Sequence, residues 1–158
     1  MATRIQQIED LEIGPLTEGD LGEIMQIERM SFRAPWSPSM FLQDLSFPIA
    51  RCLAARVPGD AAKQLAGYII CWFVADEVHV TNIAVRKDLR KRGVATRLVE
   101  EALSLARNER MLYCTLEVRK SNDAARVLYQ RLGFEARGIR PKYYSDNNED
   151  ALIMWLDL

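Results

Sequence analysis

The sequence predicts an α/β fold, a mixed central sheet of about seven strands with four helices in the order βααβββαβαββ. Three observations carry this expectation. Short runs rich in Val, Ile, Cys and aromatic residues recur at strand length, several with apolar and polar residues alternating. Between them lie stretches with apolar residues at helical spacing. The clearest is residues 93–108, where Val94, Leu98, Val99, Ala102, Leu105 and Ala106 fall on one stripe. Gly, Pro, Asn and Asp punctuate the joints.

In chain order, residues 11–16 read as a strand, and Thr17 caps a helix whose apolar face holds Leu21, Ile24, Met25 and Ile27. The segment Arg33-Ala-Pro-Trp-Ser-Pro38 breaks that helix, and Ser37 with Pro38 behind it starts a second, short helix around residues 40–45. Residues 49–57 and 65–74 form a hairpin turning at Pro58-Gly59-Asp60, and residues 77–85 extend it to a three-strand meander. After the amphipathic helix come a strand at 112–118 and a helix at 122–132 ended by Gly133. Strands at 134–139 and 151–156 close the fold, with 145–150 a polar loop between them.

A chain of 158 residues suits one domain, residues 1–158, able to bury roughly two-thirds of its unfolded surface. Hydrophobic residues at 49% and charged residues at 27% exclude the low-apolar, high-charge composition of disorder. The net charge of -1 is not that of a duplex-binding domain, so no direct nucleic-acid contact is expected. Cys52, Cys71 and Cys114 form no CxxC pair and have one histidine, His79, for company. This argues against a metal site or a disulfide framework and fits a reducing cytoplasm. The N-terminal residues MATRIQQIEDLE are charged throughout, and no apolar stretch approaches about 18 residues, so a soluble protein away from membranes is expected.

The chemistry concentrates in Arg90-Lys-Arg-Gly-Val-Ala-Thr96, between a strand ending at Val85 and the start of the amphipathic helix. A helix N-terminus presents unpaired N–H groups and a partial positive charge, and Gly93 and Ala95 are small enough to let a pyrophosphate approach. Arg90, Lys91 and Arg92 add cations. The spacing is neither that of a Walker loop nor GxGxxG, which removes a nucleoside-triphosphate reading.

Asn82-Ile-Ala-Val85, the RKRGVAT loop, Leu116-Glu-Val-Arg-Lys-Ser-Asn122 and Leu128-Tyr-Gln-Arg-Leu-Gly-Phe134, in that order, resemble the GNAT acetyltransferase superfamily. The resemblance spans roughly residues 11–158 and is greatest to RimI-type and archaeal Ard1-type N-terminal acetyltransferases. It implies acetyl-CoA as co-substrate and no metal. It also implies transfer to a protein N-terminal amine, with the N-terminal alanine of a small-subunit ribosomal protein as acceptor and partner.

By the same resemblance, Ile83, Ala84 and Val85 lie on a splayed strand and offer backbone groups to the pantetheine arm. Lys91, Arg92, Gly93, Val94, Ala95 and Thr96 hold the pyrophosphate, Arg90 is a further cofactor-binding residue, and Asn122 contacts the cofactor. Tyr129 protonates the departing thiolate, and Glu117 serves as general base. The residue types suit those tasks, because acyl transfer from a thioester needs a neutral amine and a proton for sulfur. Glu117 falls on the polar side of its strand, opposite Leu116 and Val118, and Tyr129 lies on the apolar stripe of its helix. His79, with Thr81, Ile83 and Val85 on one strand face, is a rival base of a residue type suited to the work. The resemblance also sets Phe32, Pro35 and Trp36 in one loop, and Tyr143 and Tyr144 in a loop between the last strands, as flanks of the acceptor.

An α-amine with a pKa near 8 is about one-tenth neutral at pH 7, whereas a lysine amine is neutral about once in 2500. One carboxylate base is therefore adequate for an N-terminus. Acceptors of other kinds, a small-molecule amine or a lysine, stay open on sequence grounds, as does a noncatalytic acyl-CoA-sensing module.

Overall fold

The computed structural model describes residues 7–58 and 64–158. Its strands are β1 (Glu12–Pro15), β2 (Ala50–Arg56), β3 (Leu65–Val74), β4 (Glu77–Val85), β5 (Tyr113–Arg119), β6 (Glu135–Tyr144) and β7 (Glu149–Asp157). Its α-helices are α1 (Leu21–Ser31), α2 (Pro38–Ser46), α3 (Val94–Asn108) and α4 (Asp123–Arg131). The order matches the sequence reading. The turn residues Gly59 and Asp60 lie outside the described residues.

One seven-stranded sheet runs β1-β2-β3-β4-β5-β7-β6. Every neighbouring pair is antiparallel apart from β4 and β5, which are parallel and joined through α3. One face packs on α3 and α4, with Ile69, Val78, Val80, Leu98, Val99, Leu116 and Tyr129 buried between them. The other packs on α1 and α2, with Ile24, Phe41, Tyr68, Ile70 and Ala84 at the centre. Fully burying one such side chain stabilises the fold by about 1.5–3 kcal/mol. No helix among the described residues is long and apolar enough to cross a membrane.

Caps and turns follow their residue types. The Thr17 amide donates to Asp20 Oδ2 at 2.8 Å, and a 3-10 turn at Glu18–Asp20 leads into α1. Ser37 Oγ accepts from the Met40 amide with Pro38 in the first turn of α2. Asn122 is the N-cap of α4 rather than its first residue, and Gly133 follows the helix at φ 99°.

The last hairpin departs from the sequence reading. Residues 140–144 and 149–150 belong to β6 and β7 instead of a loop, so Tyr143 and Tyr144 stand on a strand. Their polarity hid this, because the pairing is kept by side-chain bonds. Arg119 reaches Asp146 at 2.9 Å and Glu149 at 3.4 Å, and Lys142 N–H donates to Asp150 Oδ1 at 2.9 Å. A register shift between Arg140 and Tyr144 bulges the strand there.

Another irregularity sits in β4. Cys71 pairs with Val80 and Ile70 with Asn82, so Thr81 is an extra residue, and its hydroxyl donates to the Ile70 carbonyl at 3.2 Å. One inserted residue flips all later side chains to the opposite face. Ile83 and Val85 therefore pack toward α3 with Val78 and Val80, whereas Ala84 packs toward α1. The expected sharing of one face by His79, Ile83 and Val85 is corrected by this bulge.

Candidate active site

Pairing between β4 and β5 runs from Glu77↔Tyr113 to Val80↔Leu116 and stops there. Beyond that point β4 stays on β3 as far as Val85, and β5 stays on β7 as far as Arg119. The two parallel strands thus part at the Thr81 bulge and leave a gap bordered by 81–85 and 117–119. The Arg86 amide bonds the Ala66 carbonyl on β3. By two-residue alternation the backbone groups of Ala84 face β3, and those of Ile83 and Val85 face the gap. Arg90 turns back onto this edge, with Nε on the Val85 carbonyl at 3.2 Å and Nη2 on Ser31 Oγ at 3.1 Å.

The loop from β4 to α3 wraps one end of the gap. Lys91 at φ 60° and Gly93 at φ 85° bracket Arg92 in left-handed conformations, which turn successive N–H groups into a concave surface. Among the described residues no side chain caps α3, in contrast to α2 and α4. Its first turn, Val94, Ala95 and Thr96, presents N–H groups with the positive end of a 15-residue helix dipole. The chain near the N-terminus crosses this loop, with the Ile8 amide on the Arg92 carbonyl at 3.1 Å. A Cβ on Gly93 would lie 1.9 Å from the Gln7 side-chain oxygen. The cradle suits a diphosphate.

Glu117 and His79 meet on the α1 face of the sheet. His79 Nε2 lies 2.6 Å from Glu117 Oε2, and Arg140 Nε lies 3.4 Å from Oε1. Burial pushes the Glu117 carboxyl up, but the hydrogen bond and field of His79, with the Arg140 guanidinium, outweigh it and hold the group below the ordinary carboxylate range. The bulged segment of β6 brings Tyr143 within electrostatic reach of Glu117. The Arg119 guanidinium stacks on Tyr144 at 3.9 Å.

Tyr129 is on the opposite, α4 face, 6% exposed, edge-on to Phe134 at 5.7 Å. Burial pushes its phenol well above the ordinary range, with Cys114, Cys71 and Tyr144 adding to the effect. The hydroxyl makes no hydrogen bond among the described residues. It is not sealed either, because Arg126 Nε is the one buried side-chain nitrogen or oxygen without a partner among them. Glu117, one residue past the last β4–β5 pair, and Tyr129 thus sit on opposite faces of the sheet. Asn122 Oδ1 accepts from the Ala125 amide at 3.2 Å, which leaves its side-chain NH2 to face outward.

Ser31, Phe32 and Arg33 at the end of α1 face Arg119, Ser121, Asn147 and Glu149 across a cleft of about 230 Å³. The structure therefore brings Phe32 and the β6–β7 hairpin to one cleft. Pro35 is exposed, and Trp36 turns inward onto Phe41 at 5.2 Å. Glu149 is drawn down to about 2 by hydrogen bonds from Ser121, Asn147 and Arg119, which ties the turn after β5 to the wall of the cleft.

Sequence reasoning missed Glu28, 1% exposed on α1. Its carboxylate accepts from the Trp36 amide at 3.1 Å, from Asn82 Nδ2 at 3.2 and 3.1 Å and from the Tyr68 hydroxyl. It joins the loop after α1 to β4 beside the bulge. The available signal was a charged residue on the apolar stripe, one after Ile27. Glu28→Gln leaves one oxygen for donors that now use two, and is expected to cost about 1–3 kcal/mol. Thermal unfolding checks this, with a melting temperature lower by about 2–4 °C per kcal/mol.

Residues 21–134 match the model of the acetyltransferase (GNAT) family. A ribosomal protein bS18-alanine N-acetyltransferase of Salmonella typhimurium is 34% identical over 148 residues, which cover 92% of this chain and 97% of that one. The crystal structure of the ribosomal-protein-S18-alanine N-acetyltransferase from Escherichia coli is 32% identical with a TM-score of 0.82, over 93% of both chains. That of Ard1 from Thermoplasma volcanium is 27% identical with a TM-score of 0.84, over 94% of this chain and 97% of that one.

Proposed function

The chain belongs to the acetyltransferase (GNAT) family, and from that premise we propose that it uses acetyl-CoA to acetylate the α-amine of a protein N-terminus. The acceptor we propose is the N-terminal alanine of a small-subunit ribosomal protein, the substrate named for the Salmonella and Escherichia coli relatives. It acts in the cytoplasm as one domain over residues 1–158. The observation that carries this reading is the gap where β4 and β5 part, with Glu117 at its border and Tyr129 on the opposite face of the sheet.

Acetyl-CoA supplies an activated acetyl group as a thioester. The gap-facing backbone of Ile83 and Val85 holds its pantetheine arm in the manner of an added strand. Gly93, Val94, Ala95 and Thr96 receive the pyrophosphate on their N–H groups, with Lys91 and Arg92 as counter-charges. Asn122 donates its free NH2 to the arm. Arg90, engaged with Val85 and Ser31, fixes the edge of the gap and the end of α1.

The acceptor enters by the cleft between Phe32 and the β6–β7 hairpin, with Pro35, Tyr143 and Tyr144 at its margins and Trp36 bracing the loop from within. Glu117, ionised and largely enclosed, draws a proton from the amine directly or through one water. Tyr129, kept protonated by burial, gives its proton to the sulfur as the C–S bond breaks.

Arg92→Ala is expected to raise the KM for acetyl-CoA while leaving kcat close to intact, because its charge acts in ground and transition states alike. Initial rates against acetyl-CoA concentration check this, and an unchanged KM would remove Arg92 from the site. The acceptor is tested with short peptides, one of them beginning with free alanine. Acetylation of a lysine-only peptide with a blocked terminus, in preference to free termini, would overturn the assignment.

A further inference from the structure

Residues 7–11 run from the diphosphate cradle to β1 and are fastened along the way. The Ile8 amide donates to the Arg92 carbonyl at 3.1 Å, and the Ile8 side chain packs on the α3 side of the core. Arg97 Nη2, from the first turn of α3, reaches the Leu11 carbonyl at 3.5 Å, and the Leu11 side chain is buried. The Gln7 side chain lies so close against Gly93 that no Cβ fits between them. A trans peptide holds its C=O and the following N–H in opposite directions, and no peptide bond is cis. With the Arg92 carbonyl turned onto Ile8, the Gly93 N–H therefore points away from residues 7–8. It makes no hydrogen bond among the described residues, and it directly precedes the N–H groups of Val94, Ala95 and Thr96 at the start of α3. The residue types of the loop do not fix this peptide by themselves. Gly93 at φ 85° is free to turn, and Lys91 at φ 60° is a non-glycine residue in the left-handed region, which persists where its surroundings hold it.

We propose that residues 7–8 brace the cofactor site: the Ile8 N–H fixes the peptide between Arg92 and Gly93 so that the Gly93 N–H is aimed at the diphosphate before acetyl-CoA arrives. Ile8 is a positioning residue that acts through Gly93 and touches no substrate. The inference rests on the acetyl-CoA reading above and gives the segment ahead of β1 a part in donor affinity. An amide already aimed needs no reordering as the anion binds, and a hydrogen bond to an ionised group is the stronger kind. The contact is present in the ground and transition states alike, so it acts on the binding of the donor and not on the transfer step.

The test compares Ile8→Pro, which removes the amide hydrogen and keeps an apolar side chain, with Ile8→Ala, which keeps the amide and trims the packing. Ile8→Pro is expected to raise the KM for acetyl-CoA about tenfold, the loss of one hydrogen bond to a charged group, with kcat within about twofold of wild type. Ile8→Ala is expected to melt at a lower temperature and yet keep the wild-type KM within about twofold, because its N–H remains. In the wild-type protein, titration with CoA is expected to shift the Gly93 amide proton downfield in a nitrogen-correlated NMR spectrum, a readout that holds even where Ile8→Pro is too unstable to assay. A wild-type KM in Ile8→Pro, an equal rise in KM in both variants, or a Gly93 amide unmoved at saturating CoA overturns the brace and leaves the acetyl-CoA reading intact. A wild-type protein that binds no CoA overturns that reading, and the brace with it.

Discussion

Glu117→Gln is expected to lower kcat by about 10² to 10⁴, which corresponds to about 2.7–5.5 kcal/mol of transition-state stabilisation. The change is nearly isosteric. It keeps an oxygen for the His79 contact at 2.6 Å, and it removes the negative charge to which we assign the deprotonation of the amine. Because the folded carboxyl is held below its ordinary range, the group remains ionised down to mildly acidic pH and is lost as base only as pH falls through that lowered value. The decline of the wild-type rate just below pH 8 is therefore expected to follow the acceptor's own ammonium, with a pKa of about 8. Steady-state rates over that range check both statements. A wild-type kcat in Glu117→Gln would remove Glu117 from the chemistry.

Tyr129→Phe is expected to cost a similar factor in kcat, about 10² to 10⁴, with little change in stability. The ring that packs edge-on against Phe134 is retained, and the lost hydroxyl leaves no orphaned partner among the described residues. Burial keeps the phenol protonated, which suits a donor to a thiolate and excludes a role as base at neutral pH. Catalysis and folding are thus separable at this position. A parallel fall in melting temperature and rate would make Tyr129 a packing residue, whereas a large fall in rate alone supports the acid role.

The fold was legible because its elements obey local rules. Strands β3 and β4 begin and end where alternation and turn residues place them, and α3 follows its apolar stripe to within one residue. The RKRGVAT loop carried its meaning in its position between a strand and a helix. The bulges at Thr81 and at 141–143 escaped, because an inserted residue satisfies alternation on either side of itself and shows only in cross-strand register. The first of these opens the gap, so the feature that makes the site was the least visible. Glu28 escaped for a different reason, since its partners Tyr68 and Asn82 lie 40 and 54 residues away. The contact of His79 with Glu117, 38 residues apart, turned two rival bases into neighbours, which no local pattern encodes.

The central claim is transfer of acetyl from acetyl-CoA to a free N-terminal amine. Thiol release measured with peptides that differ at residue one, free alanine among them, beside a lysine-only peptide with a blocked terminus, tests it most directly. Turnover on the free termini, with the product heavier by one acetyl group on the first residue, is the predicted result. Binding of acetyl-CoA without turnover on any free terminus, or turnover confined to the blocked lysine peptide, would contradict it.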